Sequence, residues 1–444
     1  MAAAAIALPM MAEGYQINTL SARQGGMGHT GVAQKLGAES MYFNPAGMAY
    51  MDNSFDFSAA IDAVVPSAKA NIDGTWYKTD NKVSTPMMFN AGFSIYDNLK
   101  AGVSFYTPYG SAINWGYNWP GAILNEQVSL KTFTIQPTIS WRIIDNLSVG
   151  IGLNMAWGSV NLDKGLVSPS TLDKLLVLMQ QQYSFGHNMP ASVNLTGKSE
   201  FGWGFNVGAM YDINDKLTVG VSYRSKMVMK VEKGDASLSY ANDIARQILQ
   251  GQIGLIDQAN FRAEMPMPSV LTFGVAYKPV SKLMLAFDAQ YTGWGAYKTL
   301  DIEFADLSQF DQHITKDYKN AWAFRLGAQY GLTDRFDIRA GLVLDLTPVN
   351  DNYYNPETPG MTKITPSVGF SFRPIDKLSI DFSLLYVAGL GADNVKCEYQ
   401  DLLAPTYNQM AGMAGLPTIP VTSTVSGDYR VHAFSPALGF TYSF

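Results

Sequence analysis

Six tight turns, spread through the chain and each flanked by segments of alternating polarity, leave few folds open to this sequence. They are YDNL from Tyr96, IDNL from Ile144, INDKL from Ile213, VSKL from Val280, LTDRF from Leu332 and IDKL from Ile375. Pairs of Asp, Asn, Lys or Ser between apolar residues suit hairpin connections of two or three residues. The flanks repeat with period two. Leu147, Val149, Ile151, Leu153 and Met155 alternate with Ser148, Gly150, Gly152 and Asn154, and Trp322, Phe324, Leu326 and Tyr330 alternate with Arg325, Gly327 and Gln329. The same holds for Val368, Phe370 and Phe372 against Gly369, Ser371 and Arg373, and for Ile380, Phe382 and Leu384 against Asp381 and Ser383. That is the period of a strand with one apolar face. The other face is glycine, serine, asparagine and arginine, which a sandwich core would not bury. The apolar face therefore meets lipid. Six hairpins, a first strand near Phe55 to Val65 and a last one ending at Phe444 make about fourteen strands, with short turns at one end and long loops at the other. The expected fold is all-β, a transmembrane antiparallel β-barrel.

Composition agrees with that reading. Charged residues are 15% of the chain, against about 25% for a soluble domain. Aromatics reach 12% and mean hydropathy is −0.01, yet no later apolar run approaches the about 20 residues of a spanning helix. A net charge of −6 provides no basic footprint for nucleic acid. Cys397 stands alone, so there is no disulfide framework to read. The opening MAAAAIALPMMA reads as the remnant of a secretory signal over residues 1–12, although no Lys or Arg precedes it. Export to the outer membrane of a Gram-negative cell follows. Leu438, Phe440, Tyr442 and Phe444 alternate to the last residue, resembling the terminal signature that barrel assembly machinery reads.

Residues 13–50 lack strand alternation and are rich in Gly and Ala, which allows close backbone approach within a lumen. They read as a plug, with the barrel and its long loops occupying 51–444. The plug ends on MYFNPAGMAY, where Pro45 fixes its own φ and pushes Asn44 to an extended conformation. Asn44, Pro45 and Ala46 form a rigid corner, with the Asn44 side chain expected to anchor it.

Two long connections carry apolar stripes at helical spacing. Leu172, Leu175, Leu176 and Met179 form one, and Ile248 and Leu249 belong to the other. They suit either a hydrophobic landing surface on the rim or plain packing between loops. Alternation turns Arg224, Lys226, Arg325, Arg339 and Asp381 inward, where basic groups can meet an anionic head or tie the wall to itself. No zinc-type cluster and no G-x-S-x-G elbow is present, and His29, His187, His313 and His432 are scattered. No enzyme and no cofactor is expected.

The stretches GYQINTLSARQGGMGHTGVA and SMYFNPAGM, with VGVSYRSKMVMKVEKG, FDAQYTGWGAYKTLDIEF and DYKNAWAFRLGAQYGLTDRFDIRAGLVLDLTPV further on, resemble the FadL/TodX family of outer-membrane transporters for long-chain fatty acids and other hydrophobic molecules. The resemblance covers nearly the whole chain. It implies a fourteen-stranded barrel with an N-terminal hatch that includes Gly14 and Tyr15, a ligand that lands among the loops, and a lateral exit at a kink in the third strand. Here that strand is about Leu99 to Trp115, with Tyr106, Pro108 and Gly110. Proline and glycine weaken strand pairing at the same place. The implied partners are a hydrophobic small molecule, outer-membrane lipid and the assembly machinery, and a monomer is expected. A hydrocarbon channel of the same fold, a polar-solute porin and a surface receptor or adhesin are the alternatives.

Overall fold

The computed structural model describes residues 14–186, 188–305 and 308–444. The signal-like stretch 1–12 and His187 lie outside them. The wall is one closed antiparallel sheet of fourteen strands. In chain order, β1 runs Phe55–Asp62 and Val65–Ile72, β2 Thr75–Lys78 and Met87–Tyr96, β3 Leu99–Tyr106 and Gly110–Asn114, β4 Gln127–Ile144 and β5 Leu147–Gly165. Then β6 runs Ala191–Lys198 and Gly202–Asn214, β7 Leu217–Arg224 and Met227–Tyr240, β8 Gln258–Met267 and Val270–Val280, and β9 Leu283–Thr292 and Thr299–Phe304. Finally β10 is Ala321–Thr333, β11 Phe336–Asp345, β12 Lys363–Ile375, β13 Leu378–Gly389 and Ala392–Gln400, and β14 Thr422–Ser443.

All six sequence turns are hairpins. Each pairs the two residues flanking its tip, as Tyr96 with Leu99 and Ile375 with Leu378, and each carries a register shift just above the tip. An extra residue there sharpens the local twist that a tilted barrel strand needs. β14 pairs with β1, and Phe55 and Phe444 exchange both backbone hydrogen bonds at 2.9 Å, which closes the seam. The alternating apolar residues face out: Ile151, Leu326, Val368, Phe372 and Leu438 are all exposed. In a barrel they meet lipid, and the short turns mark the periplasmic end.

On the extracellular side the loops build a core of their own. Helices α1, Pro169–Leu178, and α2, Asp243–Ile253, form where the apolar stripes predict them, and the Met-rich tract near the C-terminus forms α3, Ala404–Met413. α2 starts on Asn242, whose side chain accepts from the Ala245 N–H, and stops at Gly254 in the left-handed region. Leu172, Leu175, Leu176, Ile248 and Leu249 are buried in one cluster with Trp115, Trp119 and Trp294, and Met179 packs against it half-buried. They are not a landing surface. Their apolar faces are consumed by packing between loops, the plainer of the two readings.

Candidate functional site

Residues 14–50 are bonded to strands around the circumference of the barrel. Arg23 donates to Thr441 Oγ1 of β14, and the Gly28 N–H to Ser367 Oγ of β12. Asp288 of β9 accepts from the Gly31 and Val32 N–H groups at 2.7 and 3.2 Å, and Gln136 of β4 and Asn206 of β6 both donate to the Met41 carbonyl. Lys35 pairs with Asp212, and the Ala38 N–H donates to Asp56. Ser367, Asp288, Gln136, Asn206 and Asp56 thereby satisfy backbone groups that short helices and turns leave without partners.

The Asn-Pro-Ala corner is fixed by its first residue. Asn44 is fully buried and extended, with φ −155°. Its Nδ2 donates to the Val32 carbonyl at 2.7 Å and to the Ala209 carbonyl of β6 at 3.0 Å, while Oδ1 accepts from the Ala46 N–H at 3.1 Å. One amide thus caps a 3₁₀ turn over Pro45–Tyr50 and ties two parts of the segment to the wall. The wall makes room through glycine. A Cβ on Gly208 would fall 1.9 Å from Asn44 Oδ1, and one on Gly341 1.9 Å from the Gly28 nitrogen.

The third strand breaks where proline and glycine mark it. β3 stops at Tyr106 and resumes at Gly110. The missing ladder bonds are replaced from inside: the Ile17 N–H donates to the Pro108 carbonyl and the Gly110 N–H to the Tyr15 carbonyl, both at 2.9 Å. Thr132 of β4 both accepts from the Tyr109 N–H and donates to its carbonyl. Tyr15 is clamped edge-on against Trp294, with ring centroids 4.8 Å apart, and its hydroxyl donates to the Pro266 carbonyl. Gly14 is seated so closely that a Cβ would stand 3.1 Å from both Trp294 and Tyr318. Tyr106 is buried, donates to Gln136 Oε1 at 2.8 Å and meets the Tyr42 ring.

Of the inward basic residues, Arg224 and Arg325 come together. Both line a cavity of about 30 Å³ with His29, Asn18, Phe43 and Gln290. Arg224 donates from Nη2 to the Tyr42 carbonyl at 2.9 Å and lies 4.5 Å from the Tyr42 ring centroid; Arg325 donates to Gln290 Oε1 at 2.7 Å and to Asn18 Oδ1 at 3.1 Å. Each buried guanidinium leaves its Nε–H without an acceptor among the described residues. Arg339 and Asp381 are elsewhere. They pair with each other at 3.4 Å, Asp381 also faces Arg23 at 3.6 Å, and Arg339 lines a polar cavity of about 750 Å³ with Lys216, Lys282, Arg373, Asp376 and Lys377 at the periplasmic mouth.

Lys226 does not face the lumen. It is exposed, because β7 is interrupted at Ser225 and Lys226: Ser222 and Arg224 are buried below the break, Met227, Met229 and Val231 above it. The inward parity switches from even to odd. β6 and β8 switch likewise across 199–201 and 268–269, so three adjacent strands share one line of breaks. Strict alternation carried through that line assigns the wrong face.

Other groups had no motif to mark them. Lys316 is fully buried in the loop core and pairs with Glu357 at 3.1 Å. Asp288, Asn206 and Gln136 read only as inward polar positions, and what they hold depends on the chain inside. At the mouth of the third connection, Glu126 is buried, accepts from Ser192 Oγ at 2.6 Å and has no cationic partner among the described residues; burial, with Asp163 nearby, pushes its carboxyl up to about 7.

Residues 3–444 match the family described as Outer membrane protein transport protein (OMPP1/FadL/TodX). The chain belongs to that family. It is 23% identical over 412 residues to a long-chain fatty acid transport protein of Escherichia coli, covering 87% of this chain and 90% of the relative. Outer membrane protein P1 of Haemophilus influenzae is 21% identical over 362 residues, covering 79% and 73%. Among solved structures, a Pseudomonas aeruginosa FadL homologue superposes with a TM-score of 0.81 at 19% identity, covering 97% of this chain and all of the other. The Pseudomonas putida toluene transporter TodX gives 0.69 at 16% identity over 97% and 100%. The chain is an outer-membrane barrel of this transport family.

Proposed function

We propose that this chain carries long-chain fatty acids, or amphiphiles like them, across the outer membrane by passive, ligand-gated diffusion, with residues 13–50 as the hatch and the break in β3 as the exit. One observation carries the reading: Tyr15 and Ile17 of the hatch supply the hydrogen bonds that the wall lacks at Pro108 and Gly110. Movement of those residues unseals the wall in the same act. The periplasmic mouth is lined by charge, so an apolar chain leaving downward would desolvate lysines and aspartates. A sideways exit into lipid avoids that.

The cavity between Arg224 and Arg325 supports a carboxylate head. A guanidinium with an unused Nε–H favours an anion where the surroundings are poor in water. The same two arginines hold Tyr42 and Asn18 of the hatch. A carboxylate competing for them loosens a residue next to Ile17, which links loading to opening. Toluene and monoaromatic hydrocarbon channels among the structural relatives keep hydrocarbon uptake as the second reading, and a neutral substrate leaves the two unpartnered Nε–H groups with no anion to bind. The chain acts as a monomer inserted by the assembly machinery, and no reaction is assigned to it.

The test is a double substitution, Pro108→Ala with Gly110→Val. A Cβ at Gly110 meets Ile17 Cδ1 and the Leu130 carbonyl at 3.2 Å, and alanine restores a donor. Uptake of a long-chain fatty acid into liposomes should fall at least tenfold while the barrel stays folded. Wild-type uptake would reject the lateral route.

A further inference from the structure

The outer face of the wall beside the β3 break is stratified in a way the transport path does not use. Phe89, Phe105, Phe133, Trp157 and Phe201 lie on five consecutive strands, β2 to the gap in β6, with neighbouring ring centroids 6.1, 6.1, 5.8 and 5.7 Å apart. One step above, Lys131 of β4 pairs in register with Ser159 of β5, which pairs with Lys198 of β6. Both lysines are exposed, and neither has an ion-pair partner among the described residues. Two strand spacings separate them by about 10 Å. The next row outward is Ser129, Asn161 and Thr196, with Asn194 and Thr196 both donating to Asn161 Oδ1.

Height fits the chemistry. From the turn at Ile144, a rise of about 3.3 Å per residue and a tilt of about 40° put Lys131 about 33 Å above the periplasmic end, just past an apolar band of about 25 Å. Aromatic rings belong at the edge of that band, and unpaired lysines above it stand at the level of lipid phosphates. The hydroxyl and amide rows above them match a layer of sugar.

We propose that this face is a binding surface for one phosphorylated, multiply acylated glycolipid of the outer leaflet. Its acyl chains lie on the aromatic row, its phosphate sits between Lys131 and Lys198, and its saccharide hydrogen-bonds to the Ser129, Asn161 and Thr196 row. Three tiers in this order complement a glycolipid; phosphatidylglycerol offers the first two and only a short glycerol, with no saccharide, for the third. Lys131 is also the register partner of Gly110, so the bound lipid stands at the rim of the break in β3.

Native mass spectrometry of the full barrel with purified bisphosphorylated lipid A, its dephosphorylated form and phosphatidylglycerol tests this. The wild type should hold the bisphosphorylated form at least tenfold more tightly than either other lipid. Lys131→Ser with Lys198→Ser should abolish that preference without changing thermal stability in detergent, and Lys396→Ser, an exposed lysine on β13, should leave it intact. Equal affinity for the dephosphorylated glycolipid, equal affinity for phosphatidylglycerol, or an unchanged preference in the double variant would each overturn the proposal.

Discussion

The two ends of the lumen are built on opposite principles. At the turn end, Arg339, Arg373, Asp337 and Asp381 of the wall form, with Arg23 of the N-terminal segment, a charged network with ion pairs of 2.7 to 3.9 Å, open to the periplasmic cavity. Above it, Trp115, Trp119, Trp294, Leu172 and Leu249 fill an apolar core that reaches down to Tyr15. Strands below are regular, while those above are interrupted in β1 to β3, β6 to β9 and β13. The contrast teaches that the N-terminal segment stands between two unlike environments, apolar among the loops and charged at the turn end, with the break in β3 where they meet.

The strongest way to break that division is to unseat the hatch. Gly208→Val drives a side chain into Asn44, an overpacking cost of roughly 1–3 kcal/mol, and should raise sugar permeability in liposome swelling at least tenfold while the barrel remains heat-modifiable. Wild-type swelling would mean that the corner tolerates displacement. A smaller effect sharpens the ligand side. Arg325→Gln removes a charged donor worth about 1.5–3 kcal/mol and should weaken binding of a fatty acid about tenfold, leaving its methyl ester unchanged; equal losses for both would show a packing defect instead of carboxylate recognition. The smallest effect concerns the loading side. The buried Glu126 keeps its proton up to about 7, whereas the unfolded carboxyl releases it near 4.3, so opening releases a proton between these values. The stabilisation is full below about 4.3 and is lost as pH rises through 7. Amide exchange at residues 122–126 should speed up severalfold beyond its intrinsic pH dependence from pH 5 to 8, and Glu126→Gln should flatten that excess.

How much of this is legible in the sequence depends on the range over which each feature is decided. The hairpin turns, the outward apolar face and the weak third strand are local, settled within a few residues by turn chemistry, period two and the missing donor of Pro108. Helix formation at Leu172 and Ile248 is local too, but the partner of an apolar stripe is not, and both stripes are buried in the loop core rather than facing water. Arg224 and Arg325 both read as inward, yet their convergence depends on how β7 and β10 curve around one cavity. Lys226 failed for a physical reason: a two-residue gap costs one half-period, and nothing near Ser225 signals that β6 and β8 slip at the same level. Gly208 is legible as one of many inward glycines; its role depends on Asn44 standing opposite, set by contacts more than a hundred residues apart.

That shared line of breaks also insulates. Above it, a residue gained or lost in β6, β7 or β8 can be absorbed in the gaps at 199–201, 225–226 and 268–269 before the change reaches the lipid-facing rows below. In an uninterrupted strand the same event would turn every greasy side chain beyond it into the lumen. The gaps work like expansion joints, letting the loop-bearing half drift in length and sequence toward new cargo while the half embedded in the membrane keeps its pattern.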